Sequence, residues 1–329
     1  MTRSTLLWRI AAFAAIVAVI AALFWTQNPA FLSGGNMRAL MRHMSVNGVA
    51  ALGLTFVIVV RHFDLSFPGT ASFSAMTIGW LIASGQPLPL AIAGGMAAGL
   101  AFGLFNGVAI ALFKLPDIVT TIATGGLAIG FSYFYSNGTS ISSNFFMSGL
   151  LDINDGRFLG LDRPFAILLG TGLCGILILN ATRFGRGFYA TGENPTSAWY
   201  SGVPVTATII AAFALCGLCA SLAVVLLVAS SGAANVSAGT QLLMPAFAAV
   251  YLGAALFGRP SVMATLAGTL LMSMMLNGFT LLAIPYYYSD AIVSTVLIAA
   301  VTVFNPRISA ALGDLFAIRG RASRKARNA

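Results

Sequence analysis

The sequence predicts an all-α polytopic membrane protein with about ten transmembrane helices, built as two five-helix halves. Two observations carry this. Of 329 residues, 58% are hydrophobic and 8% are charged, whereas a soluble domain carries roughly 25% Asp, Glu, Lys and Arg to keep its surface hydrated. No charged residue occurs from Leu65 to Phe113, or from Asn194 to Gly258. Each run holds two or more segments of the ~20 apolar residues that cross a bilayer.

Charges and turn residues place the spans at about 7–26, 45–60, 67–84, 88–112, 118–136, 164–181, 206–229, 242–257, 262–281 and 290–305. The chain then reads as one transmembrane domain. Residues 7–181 form a first half, 182–205 a connecting loop, 206–305 a second half and 306–329 a basic tail. Arg3 and Arg9 precede an apolar run that continues to Trp25. This run is longer than a signal-peptide core and no small-x-small cleavage site follows it, so it is expected to be a retained first span.

The 17 basic residues set the orientation. With the N-terminus inside, thirteen fall on the cytoplasmic side: Arg3, Arg9, Arg61, Lys114, Arg183, Arg186, Arg259, Arg307 and the tail residues Arg319, Arg321, Arg324, Lys325 and Arg327. Only Arg38, Arg42, Arg157 and Arg163 fall outside. Positive charge concentrates on cytoplasmic loops, so both termini and the 182–205 loop are expected on the cytoplasmic side. The net charge of +9 is read as topology signal and attraction to anionic lipid, with no nucleic-acid partner.

Within this frame, Arg38 and Arg42 alternate with Met37, Leu40, Met41 and Met44 and suggest a short amphipathic helix lying at the outer interface. The Asn137–Arg163 segment, with Asp152, Asp155 and Asp162, is the longest external loop; it either meets an external partner or is simply solvated. Cys216 and Cys219 form a C-x-x-C inside an apolar helix with no basic group to stabilise a thiolate, so they read as small packing residues. Gly95, Gly99, Gly103 and Gly107 repeat every fourth position. Helices in lipid associate by close backbone approach, so this stripe is expected to pack on a neighbouring helix. Ala98-Gly99 with Asn106-Gly107 is echoed by Ala267-Gly268 with Asn277-Gly278, which suggests inverted repeats.

Chemistry is sparse. Asp64, Lys114, Asp117 and Asp290 fall at span ends, and His43 and His62 lie at or near them, so proton coupling has little support. There is no H-E-x-x-H, no set of His or Cys at metal-binding spacing and no G-x-x-x-x-G-K-[ST] phosphate loop. The chain is expected to be no enzyme, with no catalytic residue and no metal. Active transport would draw its energy from a second polypeptide.

Four blocks carry a family resemblance. They are Phe63-Asp64-Leu65-Ser66; Asn106-Gly107 followed by Leu115-Pro116-Asp117-Ile118-Val119-Thr120-Thr121-Ile122-Ala123-Thr124; Gly192-Glu193-Asn194-Pro195 with Ala198 and Ser201-Gly202-Val203; and Pro245 to Gly253. In this order they resemble the ribose/xylose/arabinose-type permeases of carbohydrate ABC importers, within the branched-chain amino-acid/ribose permease superfamily. The resemblance covers about residues 45–305. It implies a second permease subunit, identical or related, a cytoplasmic ATPase dimer that binds ATP and Mg, and an external sugar-binding protein. It also implies that the loop after span six holds a coupling helix for the ATPase. Three features depart from the family pattern: Thr196 and Trp199 replace a Glu and an Arg, Arg61-His62 replace glycines, and Asp117 replaces an uncharged residue. Pro68 is also unusual.

The residues of that loop support the same reading. Glu193 is the only glutamate in the chain. Asn194-Pro195 is an N-cap followed by Pro at N1, and Gly202 is a C-terminal glycine, so a helix of about two turns is expected between them. Trp199 and Tyr200, beside Ala198 and Ser201, would either dock in a partner's pocket or lie in the membrane interface. A neutral sugar needs hydrogen bonds rather than charge, which makes Asn106, Thr121 and Asn277 candidates for the substrate path. The expected function is inward transport of a monosaccharide or related polyol by an ABC importer permease. The alternative is a stand-alone secondary transporter or facilitator for a small polar solute.

Overall fold

A computed structural model describes residues 3–304. The chain is helical almost throughout. The first helix, α1 (Arg3–Gln27), leads through a short 3-10 turn (Pro29–Leu32) into α2 (Gly34–Val59), and α3 (Phe67–Ala83), α4 (Leu88–Ala111) and α5 (Asp117–Ser136) follow. The expected external loop holds α6 (Phe145–Ser148), α7 (Leu151–Asp155) and a two-strand hairpin, β1 (Arg157–Phe158) and β2 (Leu161–Asp162), paired antiparallel. Next come α8 (Arg163–Ile176), extended by a π-turn over Leu177–Ala181, then α9 (Arg183–Glu193) and α10 (Pro195–Tyr200). The last four are α11 (Val205–Ser231), α12 (Leu243–Phe257), α13 (Val262–Leu281) and α14 (Tyr286–Phe304).

Among the described residues, seven helices are long and apolar enough to cross a membrane, and the 17-residue α3 and 15-residue α12 are shorter. The expected basic tail, with Arg307, lies outside the described residues. Helix starts follow ordinary chemistry. Pro68, unusual for the family pattern, stands in the first turn of α3, where its missing N–H leaves no bond unmade. Ser33 and Ser261 cap α2 and α13 by accepting from the amides of Asn36 and Ala264 at 3.3 Å each.

One expectation needs correction. The amphipathic helix expected at residues 37–44 is no separate element: it is the opening of α2, which runs unbroken from Gly34 to Val59. No proline interrupts it, and Arg42 is neutralised by Asp155 at 3.4 Å and Asp162 at 3.3 Å, so its charge needs no interfacial berth. The external loop, expected either to meet a partner or to be simply solvated, is folded on itself, with Arg163 donating to the Asp152 carbonyl at 2.9 Å and Arg157 at 3.8 Å from Asp162. Asp155 and Asp162 thus face the chain's own arginines.

From Ser45 onward every residue of α2 is buried, Ser45, Asn47 and Thr55 included, which marks it as the central helix. Around it, α4 and α11 meet along the glycine stripe. A methyl added to Gly99 would strike Ser221 Oγ and the Gly217 carbonyl; one on Gly103 would strike the Phe213 carbonyl; and one on Gly107 would come within 2.7 Å of Ile210 Cα. Gly95 faces α3 at Ile78 and Ser74. Cys216 and Cys219 are buried in the same region, Cys219 against Gly53, as small packing residues would be. The seam works because backbone meets backbone, which maximises dispersion contacts where lipid offers no hydrophobic drive.

Gly217→Val is therefore expected to cost about 1–3 kcal/mol through overpacking. Gly126→Ala, where an added methyl meets nothing within 4 Å, is expected to be neutral. Thermal melts of the two purified variants in detergent check this.

Candidate functional site: a recessed break and a capped helix

The most polar interior feature is the connection between α2 and α3, residues 60–66. Arg61 takes a left-handed φ of +60° and turns the chain back into the bundle. Asp64 is 3% exposed and accepts from the Ser66 hydroxyl and from the Ser66 amide at 2.9 Å; it also bonds Cys216 of α11. Asn106 of α4 donates to Ser66 Oγ at 2.7 Å and accepts from Thr124 of α5 at 2.7 Å. One chain of hydrogen bonds thus joins the connection to three helices. It lies inside the bundle: Cys216 is eleven residues into α11 and Asn106 five residues from the end of α4, or about 16 Å and about 8 Å at 1.5 Å per residue. Non-helical backbone at such depth is tolerated only where protein encloses it or water reaches it.

The three residues considered for a substrate path all spend polar atoms inside the chain. Asn106 is completely buried and holds Ser66 and Thr124. Thr121 is completely buried and donates back to the Asp117 carbonyl at 2.8 Å. Asn277 pairs reciprocally with Asn36 at 2.8 and 3.0 Å, fastening α13 to the start of α2. The structure brings Asp64, Ser66, Asn106 and Thr124 together and places Asn277 elsewhere.

A second polar feature lies at the opposite end of α2 from Arg42. The segment before Asn194, expected as part of a connecting loop, is the regular helix α9. Thr182 caps it by accepting from the Gly185 amide at 3.2 Å. It packs by glycine: a side chain on Gly185 would strike the Leu179 carbonyl, and one on Gly192 would strike the Val59 carbonyl at the end of α2. Tyr189 reaches the turn before α13, with the Arg259 guanidinium 5.0 Å over its ring and its hydroxyl donating to the Pro260 carbonyl at 3.4 Å. Burial raises the Tyr189 phenol above its ordinary pKa, and the Arg259 charge pulls it back.

The capped helix then stands out from this base. Asn194 Oδ1 accepts from the Ser197 amide at 3.0 Å, Pro195 opens α10, and Gly202 closes it at φ +81°. Ala198 is buried beneath it, while Glu193, Trp199 and Tyr200 face outward. The Trp199 and Tyr200 rings meet edge to face, 4.9 Å apart, and remain 64% and 79% exposed. Two large aromatics so exposed on a rigid base form a ready anchor.

Residue-by-residue reading missed a third group. His62 Nδ1 stands 3.1 Å from Asp117 Oδ2, and the Phe63 amide donates to the same oxygen at 3.0 Å. Phe63 stacks on Phe247 of α12, and Phe247 on Tyr251. The signal was present: His62 and Asp117 are two of the departures from the family pattern, and here they meet.

Fold and site together define a multi-pass helical membrane protein with polar groups held at depth and an aromatic anchor at one end. Residues 36–301 match the family described as the permease component of the branched-chain amino acid transport system, and the chain belongs to that family. It is 31% identical to the ribose import permease protein RbsC of Escherichia coli K12 over 293 residues, 88% of this chain and 91% of that protein. It is also 31% identical to RbsC of Bacillus subtilis 168 over 276 residues, 83% and 86% of the two chains. With the autoinducer 2 import system permease protein LsrD of E. coli K12 it shares 33% over 301 residues, 89% and 91%.

Asn106→Leu keeps the volume but removes the donor to Ser66 and the acceptor for Thr124. It should destabilise the protein by about 2 kcal/mol, read as a lowered melting temperature in nanodiscs, whereas Gln86→Leu in the exposed turn before α4 should leave the melt unchanged.

Proposed function

We propose that the chain is the permease subunit of an ATP-driven importer that carries a monosaccharide or related polyol inward. As a permease it is a transport component of the bacterial inner membrane, multi-pass, and chemical catalysis is not its task. The observation that carries the finer reading is the mounting of α10: an exposed Trp199–Tyr200 pair on a helix whose base is packed, through α9, against the end of the central helix α2.

In this reading α10 is the coupling helix, formed by Gly192, Glu193, Asn194, Pro195, Ala198, Trp199, Tyr200, Ser201 and Gly202. It sits in a groove of a cytoplasmic ATPase dimer that binds ATP and Mg. Force on Trp199 is delivered through Gly192 to Val59, and so to the recessed 60–66 connection; through Tyr189 it also reaches Arg259 and α13. A second permease subunit completes the path, and an external binding protein delivers the sugar. Both termini lie in the cytoplasm. Ten crossings follow if α3, α12 and α14 also span, six before the 182–205 segment and four after it, so two inverted five-helix halves would divide before α8 rather than at that segment. The ribose import named for RbsC and the autoinducer 2 import named for LsrD both favour a small polar solute over a branched-chain amino acid.

The test is uptake of D-ribose and D-xylose into vesicles that hold the chain with its ATPase and binding protein. Uptake is expected only with ATP, and Trp199→Ala is expected to lose it together with co-purification of the ATPase, weakened about tenfold or more. Uptake by the chain alone without ATP would make it a facilitator and contradict the proposal.

A further inference from the structure

The group at the recessed connection has the chemistry of a ligand station. His62 and Asp117 have 26% and 22% of their side-chain surfaces open, and Phe63 is 40% exposed. They lie beside Phe213, whose ring is 6.1 Å from that of His62. Phe213 is eight residues into α11, about 12 Å from its end. An imidazole and a carboxylate open to lipid there would be costly, and ionisable groups inside membranes face the bundle interior or a water-filled cavity. The open side of this group is therefore wet.

What the wet side presents is specific. Phe63, Phe247 and Tyr251 form a row of nearly parallel rings, at interplanar angles of 29° and 14°, and Phe63 is its open end. Asp117 Oδ2 is taken by His62 and the Phe63 amide, while Oδ1 accepts only the Ile118 amide at 2.8 Å. A carboxylate only accepts, so the shared proton is on His62 Nδ1, and Nε2 is the ring nitrogen that Asp117 does not engage. The group thus sets an aromatic face next to one spare carboxylate lone pair and one imidazole nitrogen.

We propose that His62, Phe63 and Asp117, backed by Phe247 and Tyr251, form a binding station for a neutral polyhydroxylated solute. The C–H face of a sugar or polyol rests on Phe63, and its hydroxyls bond Asp117 Oδ1 and His62 Nε2. A small number of placed polar groups on an apolar wall is how pockets fix such ligands. An anion is disfavoured by Asp117. The inference rests on the importer reading, because it names the contact site for the solute that reading transports.

The experiment uses the whole complex in inside-out vesicles. Phe63→Cys is made with Cys174→Ser, since Cys174 is exposed while Cys216 and Cys219 are buried. A charged, membrane-impermeant thiol reagent is expected to modify position 63, and D-ribose, D-xylose or ribitol to slow that modification about tenfold. Asp117→Asn, which keeps shape, is expected to change the ratio of ribose to xylose uptake about tenfold, with co-purification of the ATPase retained. An unreactive position 63 means lipid or a second protein copy covers the group, and overturns the station. Modification that none of the three solutes slows, while the wild type transports one of them, also overturns it. Wild-type complex that carries none of the three with ATP overturns the importer reading itself, and the station falls with it.

Discussion

The arrangement depends on a hydrogen-bond chain, Asp64–Ser66–Asn106–Thr124, that closes a break in helical structure inside the bundle. A chain that crosses a bilayer cannot leave backbone amides unpaired, and the reversal between α2 and α3 removes several from their helical ladder. Asp64 takes up the Ser66 amide and Asp117 takes up the Phe63 amide. Because the two carboxylates replace helical partners, the reversal can sit at depth rather than at the surface. That position keeps α2 enclosed from Ser45 to Val59 and puts His62 and Phe63 where a solute could meet them.

Elsewhere close backbone contact dominates, with a few polar fasteners such as Asn36–Asn277 and Thr55–Thr265. Glycines at α4 and α11 bring backbones together, and a second seam of the same kind joins α12 and α13, where a side chain on Gly253 would strike the Ala264 carbonyl and one on Gly268 the Ala249 carbonyl. Glycine contact recurs where α9 meets α2, at Gly192 and Val59. A seam without interdigitating side chains transmits displacement as a rigid joint, since neither surface can repack. The coupling proposed from α10 through α9 to α2 uses this stiffness, with the Tyr189–Arg259 contact as a second fastening toward α13.

Much of this was legible in sequence. Composition alone implied a membrane bundle, the four-residue glycine repeat marked the α4 seam, and Asn194-Pro195 with Gly202 located α10 through capping chemistry that is local by nature. What failed was whatever depended on partners distant in the chain. Arg38 and Arg42 looked interfacial because Asp155 and Asp162, more than 110 residues away, could not be seen to neutralise Arg42. Helix α9 reads as loop because three glycines in eleven residues lower helix propensity, and contact with Leu179 and Val59 explains two of them, Gly185 and Gly192. Asn106 looked free for solute because its partners, Ser66 and Thr124, are set by tertiary contact, whereas Thr121 bonds back to the Asp117 carbonyl within its own helix, a local choice that residue type alone does not announce. His62 and Asp117 each looked like an edge residue, and their pairing required the fold.

The central claim is that carboxylates, not helical bonds, protect the recessed connection. Hydrogen–deuterium exchange of the 60–67 segment in nanodiscs tests it most directly. The account predicts that the Ser66 amide exchanges as slowly as those of the first turns of α3, and that Asp64→Ala abolishes this protection while α11 stays protected. Exchange at Ser66 as fast as in the exposed 137–144 segment of the unaltered protein would contradict it.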